Sequence, residues 1–143
     1  MSYEGSFDWE AEFFSGLLRD RGARPKHVLI VGCGEGTEAD HIARASGTSV
    51  TGIDLEVEEQ SDQPGVLLLK ADASRLPFRD GAFDALYCYH VLEHVQDPPG
   101  VIGEAHRVLA RDSVAFFGTP NRSRLVGYMG ARAPLAHKIR FNL

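Results

Sequence analysis

Cysteine is scarce in this 143-residue chain: Cys33 and Cys88 are the only two. Neither belongs to a paired Cys or Cys/His spacing, so no disulfide framework and no structural zinc site is expected. Long apolar runs are missing as well. Nothing approaches the ~18 uninterrupted apolar residues a membrane span requires, and the amino end, MSYEGSFDWEAEF, lacks the cationic-then-apolar layout of a secretory leader. These absences lead to the expectation of a cytoplasmic protein with reduced thiols and no membrane partner. Acidic residues are absent from Thr119 to Leu143, where Arg122, Arg124, Arg132, Lys138 and Arg140 all lie, although the chain as a whole carries a formal charge of −5. The simpler reading of that basic tail is a solvated segment drawn to its own acidic body. With no aromatics interleaved among the cations, nucleic acid is not expected as a partner.

What is present is the composition of one ordinary domain, 43% hydrophobic and 24% charged. Short apolar runs alternate with polar or helical stretches, the pattern of a parallel sheet with helical crossovers. Five runs are expected as strands: His27 to Val31, Ser49 to Ile53, Val66 to Leu69, Ala82 to Cys88 and Ser113 to Phe117. Helices are expected over Asp8 to Arg21 with Phe14, Leu17 and Leu18 on one face, over Glu35 to Ser46, over Tyr89 to Gln96 and over Val101 to Ala110. The division expected is a domain over 1–118 and a tail over 119–143, loop or short helix.

The segment Val28 to Thr37, VLIVGCGEGT, runs a buried-looking strand into Gly32, Gly34 and Gly36 and then a helix. Glycines there permit positive φ and let backbone approach a ligand, and the helix start favours a negative group. The third glycine comes one residue too early for the dinucleotide fingerprint G-x-G-x-x-G, which argues against NAD. Asp54 closes the second strand, where a carboxylate can accept two hydrogen bonds from a ribose diol. Asp72 follows the third strand, so polar groups gather on the carboxyl rim of the sheet, where ligands of open α/β sheets bind.

In order and spacing, VLIVGCGEG, TGID, KADASRLPFRDGAFD and HVLEHV closely resemble the class I S-adenosylmethionine-dependent methyltransferases, over about Lys26 to Pro120. The resemblance implies a Rossmann-like three-layer α/β/α sandwich with a mostly parallel sheet in the order 3-2-1-4-5, without the family's sixth and seventh strands. It implies S-adenosylmethionine as cofactor and a small-molecule methyl acceptor. Gly32, Cys33 and Gly34 would face the methionine portion, Asp54 the ribose, Asp72 the adenine amino group, the Ala73 backbone the ring, and Leu55 the adenine face. Cys88, Tyr89 and His90 would line the floor near the sulfonium and the acceptor.

Two departures stand out. The family's Asp or Glu two residues before the first glycine is Ile30 here, and one lost charge-assisted hydrogen bond costs about 1.5–3 kcal/mol. The usual RVLKPGG is replaced by RVLARDS, Arg107 to Ser113, which reads as structural. Without further strands, the fifth strand or the tail offers an edge for pairing with a second copy.

Methyl transfer is an in-line displacement and needs no side-chain nucleophile, but a hydroxyl, phenol or ammonium acceptor must lose a proton. His90 is the first candidate for that base and Tyr89 the second. His90, Glu93 and His94 would share a helix face, a spacing that also suits a divalent metal. Hydrogen bonding from Glu93 and His94 to neighbouring loops is the simpler reading, and no metal is assigned. Asp84 is expected to fix the loop leading into the fourth strand; for Tyr3, Phe7 and Trp9 a lid over the cofactor cleft is one reading, and the simpler one puts most of that stripe in the core. The competing functional expectation is a shortened, non-catalytic module that acts by dimerisation or ligand binding.

Overall fold

In the computed structural model, which describes residues 9–57 and 60–119, β1 (His27–Val31) lies at the centre of a five-stranded sheet. Its neighbours are β2 (Ser49–Asp54) and β4 (Phe83–Tyr89), flanked in turn by β3 (Val66–Lys70) and β5 (Leu109–Gly118). The order is β3-β2-β1-β4-β5 and every pairing is parallel. Strand order reverses between β1 and β4, so their carboxyl ends open a crevice.

Helices α1 (Trp9–Asp20) and α2 (Thr37–Ser46) cover one face and α3 (Pro98–Val108) the other. Each face has its own core. Ile30 and Tyr87 join Phe14 of α1 and Ile42 of α2 in the first; Leu29, Val31 and Leu86 join Ala105 and Val108 of α3 in the second. Burial on both faces explains why HVLIV reads as a continuous apolar run and not as an alternation. α1 buries Ala11, Phe14, Ser15 and Leu18, a stripe at helical spacing. Trp9 is not a core residue: it is 47% exposed and meets Phe13 edge to face. Tyr3, Phe7 and the basic tail beyond Thr119 lie outside the described residues.

Three expected boundaries move, each for a local reason. No helix forms over 89–96. β4 continues to Tyr89, the His90 N–H donates to the Gly118 carbonyl at 3.0 Å, and His90 then takes φ +55°, a left-handed conformation that cannot begin a right-handed helix. A single turn follows, closed by the His94 N–H on the Val91 carbonyl. α3 starts three residues before the expected Val101, because Asp97 caps it from Oδ1 to the Gly100 N–H and the two prolines fall in its first turn. Proline is suited there, since its missing N–H would have had no helical partner. α3 then ends at Val108, and β5 begins directly with an irregular register between Phe83 and Ala85. Within that stretch Asp112 has φ +61°, the conformation that glycine more usually supplies.

Asp84 pins the start of the central strand. Its Oδ2 accepts the N–H groups of Lys26 at 2.8 Å and His27 at 3.0 Å. Arg107 clamps the loop before β4: it donates to the carbonyls of Leu76 and Phe78, to Asp80 and to both oxygens of Glu104, while Glu104 Oε2 accepts the Leu76 N–H. The RVLARDS segment is therefore structural through Arg107. Among the described residues no helix is long and apolar enough to cross a membrane.

Candidate functional site at the carboxyl edge

The cleft at the carboxyl ends of β1, β2 and β3 has a volume of about 280 Å³. Gly32, Asp54, Leu55, Asp72, Ala73 and His90 all line it. The turn after β1 is fastened to β2, with the N–H groups of Gly32 and Cys33 both donating to the Ile53 carbonyl at 2.8 and 3.0 Å. Gly32 has φ +79°, and a Cβ on it would collide with Val91 across the crevice. Gly34, with φ +51°, faces open space, and its N–H donates to Asp54 Oδ2 at 3.0 Å. That bond ties the glycine turn to the end of β2.

Asp54 Oδ1 in turn accepts the Glu56 N–H at 3.2 Å. A carboxylate oxygen carries two lone pairs, so one on each oxygen remains for a diol. Beside it Leu55 is 62% exposed, an apolar surface next to a polar one. Asp72 folds back in an Asx turn, its Oδ1 accepting both the N–H and the hydroxyl of Ser74 at 2.8 and 2.7 Å. Those bonds hold its carboxyl below the usual range, and its other oxygen takes no hydrogen bond among the described residues. Gly36 stands at the N-cap of α2 and offers no side-chain cap, which leaves the first amides of the helix for an anionic group. This donor and acceptor set, with an exposed leucine between the two aspartates, fits an adenosine bearing an amino-acid tail.

His90 reaches the cleft from β4, and its Nδ1 lies 2.8 Å from Glu93 Oε1. An ionised carboxylate only accepts, so Nδ1 is the donor, and in the neutral tautomer that this bond selects the lone pair lies on Nε2. Burial pushes the Glu93 carboxyl up. Its own backbone N–H, the His90 bond and the charges of His90 and His94 outweigh that and leave it below the usual range. Glu93 is the orienting partner of His90, and the spacing His90-x-x-Glu93 was its signal. His94 lies 4.0 Å from Glu93 and also lines the cleft. Among the described residues no three His, Cys, Asp or Glu side chains are grouped to hold a metal.

Three expected residues sit elsewhere. Cys33 turns its side chain onto β2, where a Cβ on Gly52 would stand 2.7 Å from the Cys33 Cβ, and Cys88 is fully buried in the α3-side core. Both could meet a ligand only through backbone. Burial raises their thiols to about 11 and about 12, with the charges of Asp54 and Glu38 adding at Cys33 and that of Glu93 at Cys88, so neither is a nucleophile. Tyr89 packs on the opposite face of the sheet from the cleft, its hydroxyl donating to Glu10 Oε1 at 2.9 Å. Ile30 is buried in that same core and contributes no polar group.

A larger cavity, about 600 Å³, lies at the amino edge, between Arg19, Arg24, Lys26 and Thr48. It lies at the opposite end of the strands from the glycine turn, where α1 and α2 end, and the charged side chains that line it are all basic.

The methyltransferase domain family matches residues 29–117 of the chain. The chain is 34% identical over 111 residues to norajmaline N-methyltransferase of Rauvolfia serpentina, covering 71% of this chain and 38% of that protein. It is 36% identical over 120 residues to the ubiquinone biosynthesis O-methyltransferase of Actinobacillus pleuropneumoniae, covering 73% and 49%. The crystal structure of the [4+2]-cyclase SpnF superposes with a TM-score of 0.59 at 27% identity, over 77% of this chain and 45% of that one. The chain thus spans less than half the length of each of these three proteins. Sheet order, glycine turn and sequence agree, and the chain belongs to the methyltransferase domain family.

Proposed function

We propose that the chain is the cofactor-binding part of an S-adenosylmethionine-dependent methyltransferase acting on a small molecule. The observation that carries this reading is the bridge from Asp54 to the Gly34 N–H, which sets a diol-binding carboxylate against the glycine turn in the cleft that Asp72 and Leu55 share. In it Asp54 takes the ribose hydroxyls, Asp72 the adenine amino group, Leu55 one face of the ring and the Ala73 backbone its edge. Gly32, Cys33 and Gly34 present backbone to the methionine portion, with Cys88 behind the reacting centre. Bound there, S-adenosylmethionine would supply a methyl group activated on its sulfonium. The chain's own part is to hold it, keep the acceptor in line, and take the acceptor's proton at His90 Nε2 while Glu93 fixes the ring. Small-molecule methylation by the relatives named above supports the substrate class.

The residues beyond 118 form a separate tail in this reading. A second copy, if one pairs, meets β5, which is hydrogen-bonded to β4 alone among the described strands. The buried free thiols suit a cytoplasmic protein.

A second reading, a module that binds without catalysing, is favoured by Ile30 standing where the family has a carboxylate. Calorimetric titration with S-adenosylmethionine and S-adenosylhomocysteine, with NAD as control, tests the first. Saturable binding of the methionine nucleosides alone supports it, and no binding by the folded chain removes it. Methyl transfer to any small-molecule acceptor then separates enzyme from module.

A further inference from the structure

The cavity at the amino edge lies outside the site described above, and its charge is of one sign. Arg19, Arg24 and Lys26 are its charged lining, on a chain whose formal charge is −5. Arg19 donates to Glu12 Oε1 at 3.0 Å, whereas the side chains of Arg24 and Lys26 have no polar partner among the described residues. Helix-end carbonyls do not occupy them either. Those of Leu17, Leu18 and Arg19 accept the N–H groups of Arg21, Ala23 and Gly22, and that of Ala43 accepts the Gly47 N–H. The Ser49 N–H donates to the Lys26 carbonyl at 3.1 Å, which joins the starts of β1 and β2 on the exposed rim.

A second, independent observation lies at the inner wall. α1 buries Ala11, Phe14, Ser15 and Leu18, and Ser15 is the polar member of that stripe, 2% exposed. Its hydroxyl is the one buried side-chain polar atom without a hydrogen bond among the described residues, and Ser15 lines the cavity. A hydroxyl cut off from water and left unpaired costs free energy that an alanine in its place would not. Cations on the rim and an unused donor on the wall share one complement, an anion with several acceptor oxygens. A phosphate monoester meets that description, with a charge of about −1.5 to −2 and three acceptor oxygens. The cavity's volume of about 600 Å³ leaves room for an organic remainder.

We propose that the amino-edge cavity is a second binding site, for a small phosphorylated organic molecule whose phosphate sits between the side chains of Arg24 and Lys26 and the Ser15 hydroxyl. The proposal is independent of the cofactor reading, since it uses none of the residues at the carboxyl edge.

Inorganic phosphate is the probe, added to the full ¹⁵N-labelled chain at constant ionic strength, with sodium chloride as control. Amide shifts at Arg24, Gly47, Thr48 and Ser49 should change saturably while Gly34 stays unmoved. The double variant Arg24→Gln, Lys26→Gln alters two exposed side chains and should weaken phosphate by about tenfold. Ser15→Ala should weaken it about two- to tenfold. Without phosphate the same variant should melt no lower than the wild type, because it removes an unpaired hydroxyl. Undiminished phosphate affinity in Ser15→Ala would overturn the proposal. So would shifts that fail to saturate or that chloride reproduces, and so would saturable shifts at Gly34 and Gly36 instead, which would put the anion at the start of α2.

Discussion

At the β2–β3 end of the sheet edge two carboxylates, Asp54 and Asp72, are held by backbone N–H groups and, at Asp72, by a serine hydroxyl one turn away. At the β1–β4 end, two others, Glu38 and Glu10, accept from tyrosine hydroxyls of an aromatic stack packed on the α1 side of the sheet. The first arrangement is the more local: the bonds from Glu56 and Ser74 span two positions, and the one from Gly34 spans 20. The second is long-range, joining α1 and α2 to β4 across 79 and 49 positions of sequence. The carboxylates proposed to take the nucleoside are thus held by nearby backbone, while the tyrosine-bound pair depends on how α1 and α2 pack on β4.

His90→Ala should give the largest effect and sharpen the contrast, because it removes chemistry from the β4 side without touching the nucleoside turns. Turnover should fall about 10²- to 10⁴-fold while S-adenosylhomocysteine affinity stays within about twofold. Equal turnover by the variant across the pH range would take His90 out of the mechanism.

Asp54→Ala comes next, with a loss of about 1.5–3 kcal/mol in affinity. It should weaken S-adenosylhomocysteine and methylthioadenosine, which lacks the amino-acid tail, alike, since both carry the ribose. A selective effect would break the division of the edge into two halves. Asp72→Asn should cost less, about 0.5–1.5 kcal/mol, and should narrow the preference for an adenine over a hypoxanthine nucleoside. Calorimetry with both nucleosides reads this directly.

The smallest effect concerns the clamp that backs the nucleoside half. Hydrogen bonds from Arg107, then burial in the opposite sense, then the Leu76 N–H leave the Glu104 carboxyl at about 2. A carboxylate lowered in the folded state contributes stability fully above its unfolded pKa of about 4.3 and loses it as pH falls. The difference in thermal midpoint between wild type and Glu104→Gln should accordingly be constant above about pH 5 and close towards pH 2. A constant difference down to pH 2 would detach Glu104 from that clamp.

Much of the nucleoside half was legible in the sequence. VLIVGCG, TGID and the aspartate after VLLLK are contiguous signals, and strand periodicity with helix crossovers fixes which ends meet. The β4 half was less so. The helix expected from Tyr89 fails on one backbone angle, at His90, which composition does not report. Tyr89 was read as floor, yet strand alternation puts it with Tyr87 on the α1 side and leaves the cleft to His90. Cys33 and Cys88 stand at the expected positions in the chain with their side chains turned into the cores. Glu38 gave no motif at all, because its link to β4 is a contact between residues 49 apart. Pro98 and Pro99 fall in the gap between the helices expected over Tyr89 to Gln96 and Val101 to Ala110, and the Asp97 cap makes them a helix start instead.

The central claim is that the cofactor binds at the carboxyl edge and not in the larger amino-edge cavity. Amide chemical shifts of the ¹⁵N-labelled chain, followed while S-adenosylhomocysteine is added, test it most directly. The account predicts the largest changes at Gly34 and Glu56, whose N–H groups hold Asp54, and at Ser74, whose N–H holds Asp72. Changes confined to Arg24, Gly47 and Thr48 around the other cavity, with Gly34 and Ser74 unmoved, would contradict it.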